Sequence, residues 1–288
     1  MPELPEVEIV KRSLKNKVNY KKIKKIIITN RDLRFKIQKN FEKNLEGRII
    51  TNVSRFSKYI ILVLDNNNYC LIHLGMSGTL HLVDYKKKEK MTNLSFYHSK
   101  ILPKNHNHIR IKFSNFTIIY NDPRRFGFIK YFNSHQKLNN FFKNYGPDPF
   151  EKSFNIKYLK KKLKDKKKNI KNLLLDQKFI SGIGNIYANE ILFYSKINPF
   201  KKGENISNYE INKILKISKS VLNKAIKKGG SSIRDFKNSK GKKGSYQEEF
   251  AVYGREKKNC KSRNCNFKII KINISNRSTY ICNNCQKK

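Results

Sequence analysis

Apolar residues at Leu4, Val7, Val10, Leu14 and Val18 recur at helical spacing, so residues 3–18 are predicted to open the chain as a helix. Pro5 is tolerated in its first turn, where a backbone N–H lacks an intrahelical partner anyway. The period then changes. Short apolar and aromatic runs at 59–64, 69–74, 79–83, 109–113, 116–120 and 128–132 alternate with turn residues, among them Asp65-Asn66-Asn67-Asn68, Ser114-Asn115 and Asp122-Pro123-Arg124-Arg125. Many short strands separated by turns predict a β-sandwich. The lysine-rich segment 84–105 is expected to be a surface loop.

After about residue 134 the spacing becomes helical. Ser207-x-x-Glu210 is a capping box that opens a helix with Ile211, Ile214, Leu215, Leu222, Ala225 and Ile226 inward. Gly229-Gly230 closes it. Upstream, Gly182-Ile183-Gly184-Asn185 precedes a second helix starting at Ile186. Residues 234–250 are polar, with glycine and serine breaks and no core periodicity. Strand-like runs at 267–272 and 279–281 flank Arg277.

A chain of 288 residues is long enough for two domains with separate cores. Sixty-four Lys+Arg against 21 Asp+Glu leave a net charge of +43, which points to a polyanionic partner and salt-sensitive association. Lysine, asparagine and isoleucine are abundant everywhere, as drift in an AT-rich genome would leave them, so the total says little about any one contact. No apolar run approaches the ~20 residues of a membrane span, and no signal-peptide pattern precedes Pro2, so a soluble, cytoplasmic protein is expected. Four of the five cysteines form Cys260-x4-Cys265-x16-Cys282-x2-Cys285. In a reducing compartment that pairing reads as one tetrahedral Zn2+ site per chain. Cys70, alone in an apolar strand, reads as a small buried hydrophobe.

Chemistry concentrates at the start. With Met1 removed, Pro2 presents a secondary amine that is also the α-amino group, and such amines titrate at about 7.7–8.0. Unprotonated, it could attack an electrophilic sugar carbon and form an iminium. Glu3 beside it could move protons. The plainer alternative is a proline that merely follows an initiator methionine.

The run Met1-Pro2-Glu3-Leu4-Pro5-Glu6-Val7-Glu8 resembles the start of the bacterial formamidopyrimidine-DNA glycosylases, the 8-oxoguanine DNA glycosylase or MutM family. The likeness continues through His73-Leu74-Gly75-Met76-Ser77-Gly78, Asn121-Asp122-Pro123-Arg124-Arg125-Phe126-Gly127, Gly182-Ile183-Gly184-Asn185-Ile186-Tyr187-Ala188 and the C-terminal cysteines. It implies an α+β chain: an N-terminal catalytic β-sandwich with a flanking helix over 1–134, a linker over 135–150, a helix–two-turns–helix domain with a lesion-capping loop over 151–250, and a β-hairpin zinc finger over 251–288. The implied activity is base excision repair by a monomeric bacterial enzyme on double-stranded DNA containing oxidised purines or abasic sites. The damaged nucleotide must leave the stack before its C1′ atom can be reached.

By the same resemblance Pro2 is the nucleophile and Glu3 the acid/base. Lys58 assists β-elimination and contacts a phosphate, and Arg277 clamps a phosphate for δ-elimination, a task that suits a bidentate guanidinium. Met76, Arg124 and Phe126 fill the gap left by the everted nucleotide, since a thioether and a ring can wedge the stack while an arginine reads the orphaned base. His73, His106, Lys166, Lys171 and Asn185 match DNA-contacting positions. Residue types alone leave other readings open: a solvated lysine at 58, core packing at Met76 and Phe126, and a plain N-cap at Asn185. Two departures from the family stand out. The first cysteine pair is separated by Lys261-Ser262-Arg263-Asn264 instead of two residues, and the lid carries Lys243-Gly244-Ser245-Tyr246 where the family has proline and an aromatic. Rival readings are an endonuclease VIII-like glycosylase for oxidised pyrimidines, a non-enzymatic zinc-ribbon nucleic-acid binder, and a decayed paralogue that binds without cutting. Leu4 and the Met76, Arg124 and Phe126 set favour the purine branch, and Pro2-Glu3 argues against a mere binder.

Overall fold

The computed structural model describes residues 2–86, 102–231 and 245–287. Met1, most of the lysine-rich segment 84–105 and the first part of the lid, up to residue 244, lie outside the described residues. The chain divides into two compact units, Met1–Lys143 with Lys228–Ser245, and Asn144–Lys227 with Tyr246–Lys288.

In the first unit, helix α1 (Leu4–Val18) buries Leu4, Val7, Val10, Leu14 and Val18, the face its spacing predicts. Strands β1 (Lys21–Lys22), β2 (Lys25–Ile28) and β3 (Ile49–Phe56), with a short helix α2 (Phe41–Leu45), precede β4 (Tyr59–Leu64), β5 (Tyr69–His73), β6 (Thr79–Asp84), β7 (Asn107–Lys112), β8 (Phe116–Asn121) and β9 (Phe128–Phe132). One sheet runs β1-β3-β4-β5-β9 and the other β2-β7-β8-β6, with antiparallel neighbours throughout. Val53, Ile60, Leu62 and Ile72 from the first share one buried core with Leu80, Ile109, Ile111 and Ile118 from the second. This is the expected sandwich. β1 and β2 escaped the sequence reading because Ile23 and Ile26, both buried, stand three apart among exposed lysines. The chain turns between them, so no period of two survives. Helix α3 (His135–Phe142) sets Phe141 and Phe142 against Tyr59, with ring centroids 5.8 and 5.2 Å away.

The second unit holds α4 (Ile156–Leu163), α5 (Ile170–Leu175), α6 (Asn185–Ser195), α7 (Asn208–Lys227) and the hairpin β10 (Ile270–Ile274) with β11 (Arg277–Ile281). The predicted capping box forms: Glu210 N–H donates to Ser207 Oγ at 3.2 Å, and Ser207 N–H to Glu210 Oε2 at 2.8 Å. Helix α6 is buried almost all round, against α5, α7 and β11. The strand expected from 267 begins at Ile270, because residues 267–269 pair elsewhere: Cys260 N–H donates to Phe267 O and Ile269 N–H to Lys258 O, each at 2.9 Å. Among the described residues no helix is long and apolar enough to cross a membrane.

Candidate active site and metal centre

Pro2 and Glu3 are buried at the N-terminus of α1. A reciprocal capping box holds Glu3: its side chain accepts from the Glu6 N–H, and Glu6 Oε2 accepts the Glu3 N–H at 2.9 Å. Both carboxyls thus lie at the N-terminal end of a helix of 15 residues. Glu6 Oε1 also accepts the backbone N–H and hydroxyl of Ser231 at 2.9 and 3.0 Å. That bond ties the residue after Gly229-Gly230, both at positive φ, to the start of the chain.

Lys58 sits in the tight β3–β4 turn and is only 6% exposed. Ser57 before it adopts φ +54, unusual for a residue with a side chain. Arg55 braces the turn, donating from Nη1 to Ser57 O and from Nε to Glu8 Oε2, both at 2.9 Å. Glu8 also accepts from Lys11 at 2.9 Å and Arg12 at 2.8 Å. Burial opposes its ionisation, but the bonds from Lys11, Arg12 and Arg55 outweigh that and hold its carboxyl below the ordinary value. One ion network on α1 therefore fixes the backbone on which Lys58 stands.

His73 is pushed down to about 4 by burial and by the charges of Lys58 and Arg34, so it is neutral at physiological pH. Its Nδ1 accepts from Gly75 N–H at 3.2 Å, which leaves the ring proton on Nε2. Nearby opens a cavity of 590 Å³ lined by Arg34, His73, Met76, Arg124, Arg125 and Phe126. Met76 and Phe126 are 43% and 44% exposed, and the Arg124 guanidinium lies 4.5 Å from the Phe126 ring centroid. Large apolar side chains held out in water beside cations suit insertion between bases. The loops that carry them touch closely. A Cβ on Gly75, at φ +61, would fall 2.4 Å from Gly127 N, so only glycine fits.

In the second unit, Ser275 and Asn276 at φ +49 and +58 make the two-residue turn of the β10–β11 hairpin. Arg277 follows, exposed. Four side chains hold the hairpin on α5 and α6. Lys171 Nζ donates to Ser278 O at 2.9 Å and Thr279 Oγ1 at 2.6 Å, Asn185 Nδ2 to Ser278 O at 3.0 Å, and Asn172 Nδ2 to Ser275 Oγ at 2.8 Å. Asn189 Oδ1 accepts the Tyr280 N–H at 2.8 Å.

Below the hairpin, Cys260, Cys265, Cys282 and Cys285 place their Sγ atoms within 4.8 Å of one another. Cys260 to Cys285 is 3.8 Å and Cys265 to Cys282 is 3.6 Å. Tetrahedral coordination with metal–sulfur bonds near 2.3 Å requires sulfur separations of about 3.8 Å, so the set fits a metal ion. Asn284 Nδ2–H and the Phe267 backbone draw the Cys265 thiol down to about 6, and Ser262 N–H donates to Cys260 Sγ at 3.4 Å. The longer Lys261–Asn264 spacer is absorbed by Asn264 at φ +59, so the thiols still converge.

Residues 1–129 match the model of the formamidopyrimidine-DNA glycosylase N-terminal domain, and residues 145–237 that of the family's H2TH domain. The chain belongs to the formamidopyrimidine-DNA glycosylase family. It is 42% identical to the formamidopyrimidine-DNA glycosylase of the Wolbachia of Brugia malayi, over 99% of this chain and all of that one. It is 39% identical to that of Rickettsia bellii strain OSU 85-389, over the whole of both. Among solved structures it resembles the Lactococcus lactis Fpg in complex with abasic-site DNA, with a TM-score of 0.86 at 33% identity over 99% of this chain and 100% of that one.

Within this family framework the residues singled out from sequence fall into groups. Pro2 and Glu3 share the start of α1, His73, Met76, Arg124 and Phe126 line one cavity, and the four cysteines form one cluster. His106 is exposed at φ +64 ahead of β7, and Lys166 is exposed in the turn after α4. Lys171 and Asn185 differ in kind. Lys171 is 0% exposed with its ammonium on the hairpin, and Gly184, not Asn185, caps α6. Sequence reasoning missed Arg34 in the cavity, the Arg55–Glu8 brace and Glu190. The Glu190 carboxylate is buried and accepts three successive N–H groups, from Ala251, Val252 and Tyr253, at 2.8, 3.0 and 2.9 Å. A carboxylate beside the apolar run Ile191-Leu192-Phe193 was the one visible signal.

Proposed function

We propose that this chain is a bifunctional DNA glycosylase and AP lyase that excises oxidised purines, 8-oxoguanine and formamidopyrimidines, and then nicks the strand by β- and δ-elimination. The observation that carries the reading is the buried Pro2-Glu3 pair at the head of α1, in a chain that matches a glycosylase family along its full length.

In this mechanism the Pro2 nitrogen attacks C1′ of the everted nucleotide. The C1′–N bond breaks, its electron pair leaves with the base, and the base takes up a proton. Glu3, at the sugar, takes up the proton that the Pro2 nitrogen loses as it attacks and returns it to O4′ as the ring opens and O4′ departs from C1′, leaving an iminium between Pro2 and C1′. The iminium acidifies the C2′ hydrogens. Loss of one of these protons drives out the 3′ phosphate, with Lys58 in the role of phosphate partner, and a second elimination frees the 5′ phosphate under the Arg277 clamp. Met76, Arg124 and Phe126 occupy the vacated space in the duplex. His106, Lys166 and Asn185 add contacts to the DNA.

The metal is zinc, and its ligands are Cys260, Cys265, Cys282 and Cys285. When bound it cross-links the strands of the finger and performs no chemistry. The domain assignment that goes with this reading is a catalytic sandwich over 1–134, a helix–two-turns–helix domain over 151–250 and a zinc finger from 251.

Borohydride trapping on a duplex with 8-oxoguanine opposite cytosine tests the reading. The expected result is a covalent complex that mass spectrometry maps to Pro2. Protein retaining Met1, whose Pro2 nitrogen is an amide, should bind this duplex but neither trap nor cut, and Glu3→Gln should bind without excising the base. Full cleavage by the Met1-retaining protein would refute Pro2 as nucleophile. Trapping on oxidised pyrimidines in preference to 8-oxoguanine would move the chain to the endonuclease VIII-like reading.

A further inference from the structure

We infer that Asp122 is a positioning residue that locks the two base-reading loops into one rigid wedge, an inference that rests on the roles proposed above for Met76, Arg124 and Phe126. Asp122 lies between β8 and the loop that carries Arg124, and it is fully buried. A buried carboxylate is costly unless each lone pair is used. Oδ2 accepts the Gly127 N–H at 2.8 Å and the Tyr120 hydroxyl at 3.2 Å, which fixes the far end of the Arg124–Phe126 loop. Oδ1 accepts the Ser77 hydroxyl at 2.5 Å, which fixes the residue after Met76.

The Ser77 oxygen, its own hydrogen committed to Asp122, accepts the Arg124 N–H at 3.2 Å. The relay runs from carboxylate to hydroxyl to the backbone of the reading arginine, and it crosses from one loop to the other. The Asp122 carbonyl accepts from Arg125 N–H at 3.2 Å and from His108 Nε2 at 2.9 Å, so the aspartate is itself held by β7 and by its own loop. Met76 and Phe126 remain exposed on the outside of this knot. Their spacing is therefore set before DNA arrives, and inserting three side chains together costs little ordering of the loops.

The test substitutes the relay without touching the side chains that would meet DNA. In Asp122→Asn the amide oxygen can still serve Gly127 and Tyr120, but the NH2 group then donates to Ser77 Oγ and competes with Arg124 N–H. Ser77→Ala removes the relay and leaves Asp122 with Gly127 and Tyr120, while Ser77→Thr restores a hydroxyl. The measurement is the ratio of kcat/KM for 8-oxoguanine opposite cytosine to that opposite adenine, on full-length, metal-loaded protein. Binding to undamaged duplex is read alongside, with thermal melting to verify the fold.

Asp122→Asn and Ser77→Ala should each lower the ratio about tenfold, the factor that loss of one hydrogen bond to a charged group corresponds to. Arg124→Ala should do the same, Ser77→Thr should recover the ratio, and undamaged-duplex binding should be unchanged in the Asp122 and Ser77 variants. An unchanged ratio in folded Ser77→Ala, beside a relaxed Arg124→Ala, would overturn the inference and leave the proposed function standing. An unchanged ratio in Arg124→Ala would remove the assigned role of Arg124 and this inference with it. Should Asp122→Asn fail to fold, Ser77→Ala decides.

Discussion

Replacing Lys171 with methionine distinguishes a lysine that grips DNA from one that aims another residue at it. Its ammonium donates to Ser278 O at 2.9 Å and Thr279 Oγ1 at 2.6 Å, immediately beyond Arg277. Methionine preserves the length of the stem but donates nothing. Each bond from a charged donor is worth roughly 1.5–3 kcal/mol, while removing a buried charge relieves a desolvation cost of several kcal/mol. The two nearly offset, so overall stability should move little, yet the side-chain hold on the hairpin falls from five hydrogen bonds to the three that Asn185, Asn172 and Asn189 supply. If Lys171 acts through Arg277, then Lys171→Met and Arg277→Ala should each reduce the log–log salt slope of duplex binding by about 0.9, one phosphate contact. The double variant should then show the same single loss, because one contact has been removed by two routes. Fluorescence anisotropy across a KCl series measures this. A double variant that loses about 1.8 would give Lys171 a phosphate of its own and refute the reasoning. A pH signature accompanies it. Burial and the Arg277 charge pull the ammonium down to about 8, whereas in the unfolded chain it holds its proton up to about 10.5. Between these values the unfolded state binds the extra proton, so stability should rise with pH in the parent protein relative to Lys171→Met. Thermal melts of the pair read that difference.

Three further outcomes are expected. Stripping the metal with a chelator should unfold the hairpin and abolish tight DNA binding while the sandwich keeps its melting transition, and metal analysis should return one zinc per active chain. Lys58→Ala should weaken damaged and undamaged duplex alike, with a slope loss of about 0.9, whereas Arg124→Ala should leave the slope of undamaged binding intact and relax opposite-base discrimination, both read by competition binding and single-turnover cleavage. His73 and His81 are each held near about 4 by burial, so the stability they allow is complete above about 6.5 and is lost as pH falls towards 4. Melts from neutral to acid pH should show that loss in the first unit, and it should shrink in His81→Gln.

The outer logic of the fold was legible because it is written in local periods. Helix α1, the strands from β4 to β9, the Ser207–Glu210 box and the cysteine pairs each repeat or pair over a few residues, so sequence spacing alone exposes them. β1, β2 and α2 were not legible. β1 buries neither of its residues, β2 buries only Ile26 and α2 only Phe41 and Leu45; the two strands are fixed by pairing with β3 and β7, far away in the chain, and α2 packs on β2 and β9.

Sequence by itself determined the chemistry available: a proline amine, an adjacent carboxyl, a thioether, two rings, an arginine pair and four thiols in a fixed order. Tertiary structure decided what each charge does. The lysine run 160–168 and Lys171 read alike in sequence, yet Lys166 is exposed and Lys171 is sealed under the hairpin. Asp122 reads as a turn residue next to proline, but the fold buries it and spends both oxygens on two loops distant in the chain. Glu8 reads as one more polar position on α1, and the fold makes it the anchor of the arginine that braces the Lys58 turn. The physical reason is common to all three. The energy of a charged group depends on burial and on partners within about 3 Å, and those partners come from segments that only folding brings together.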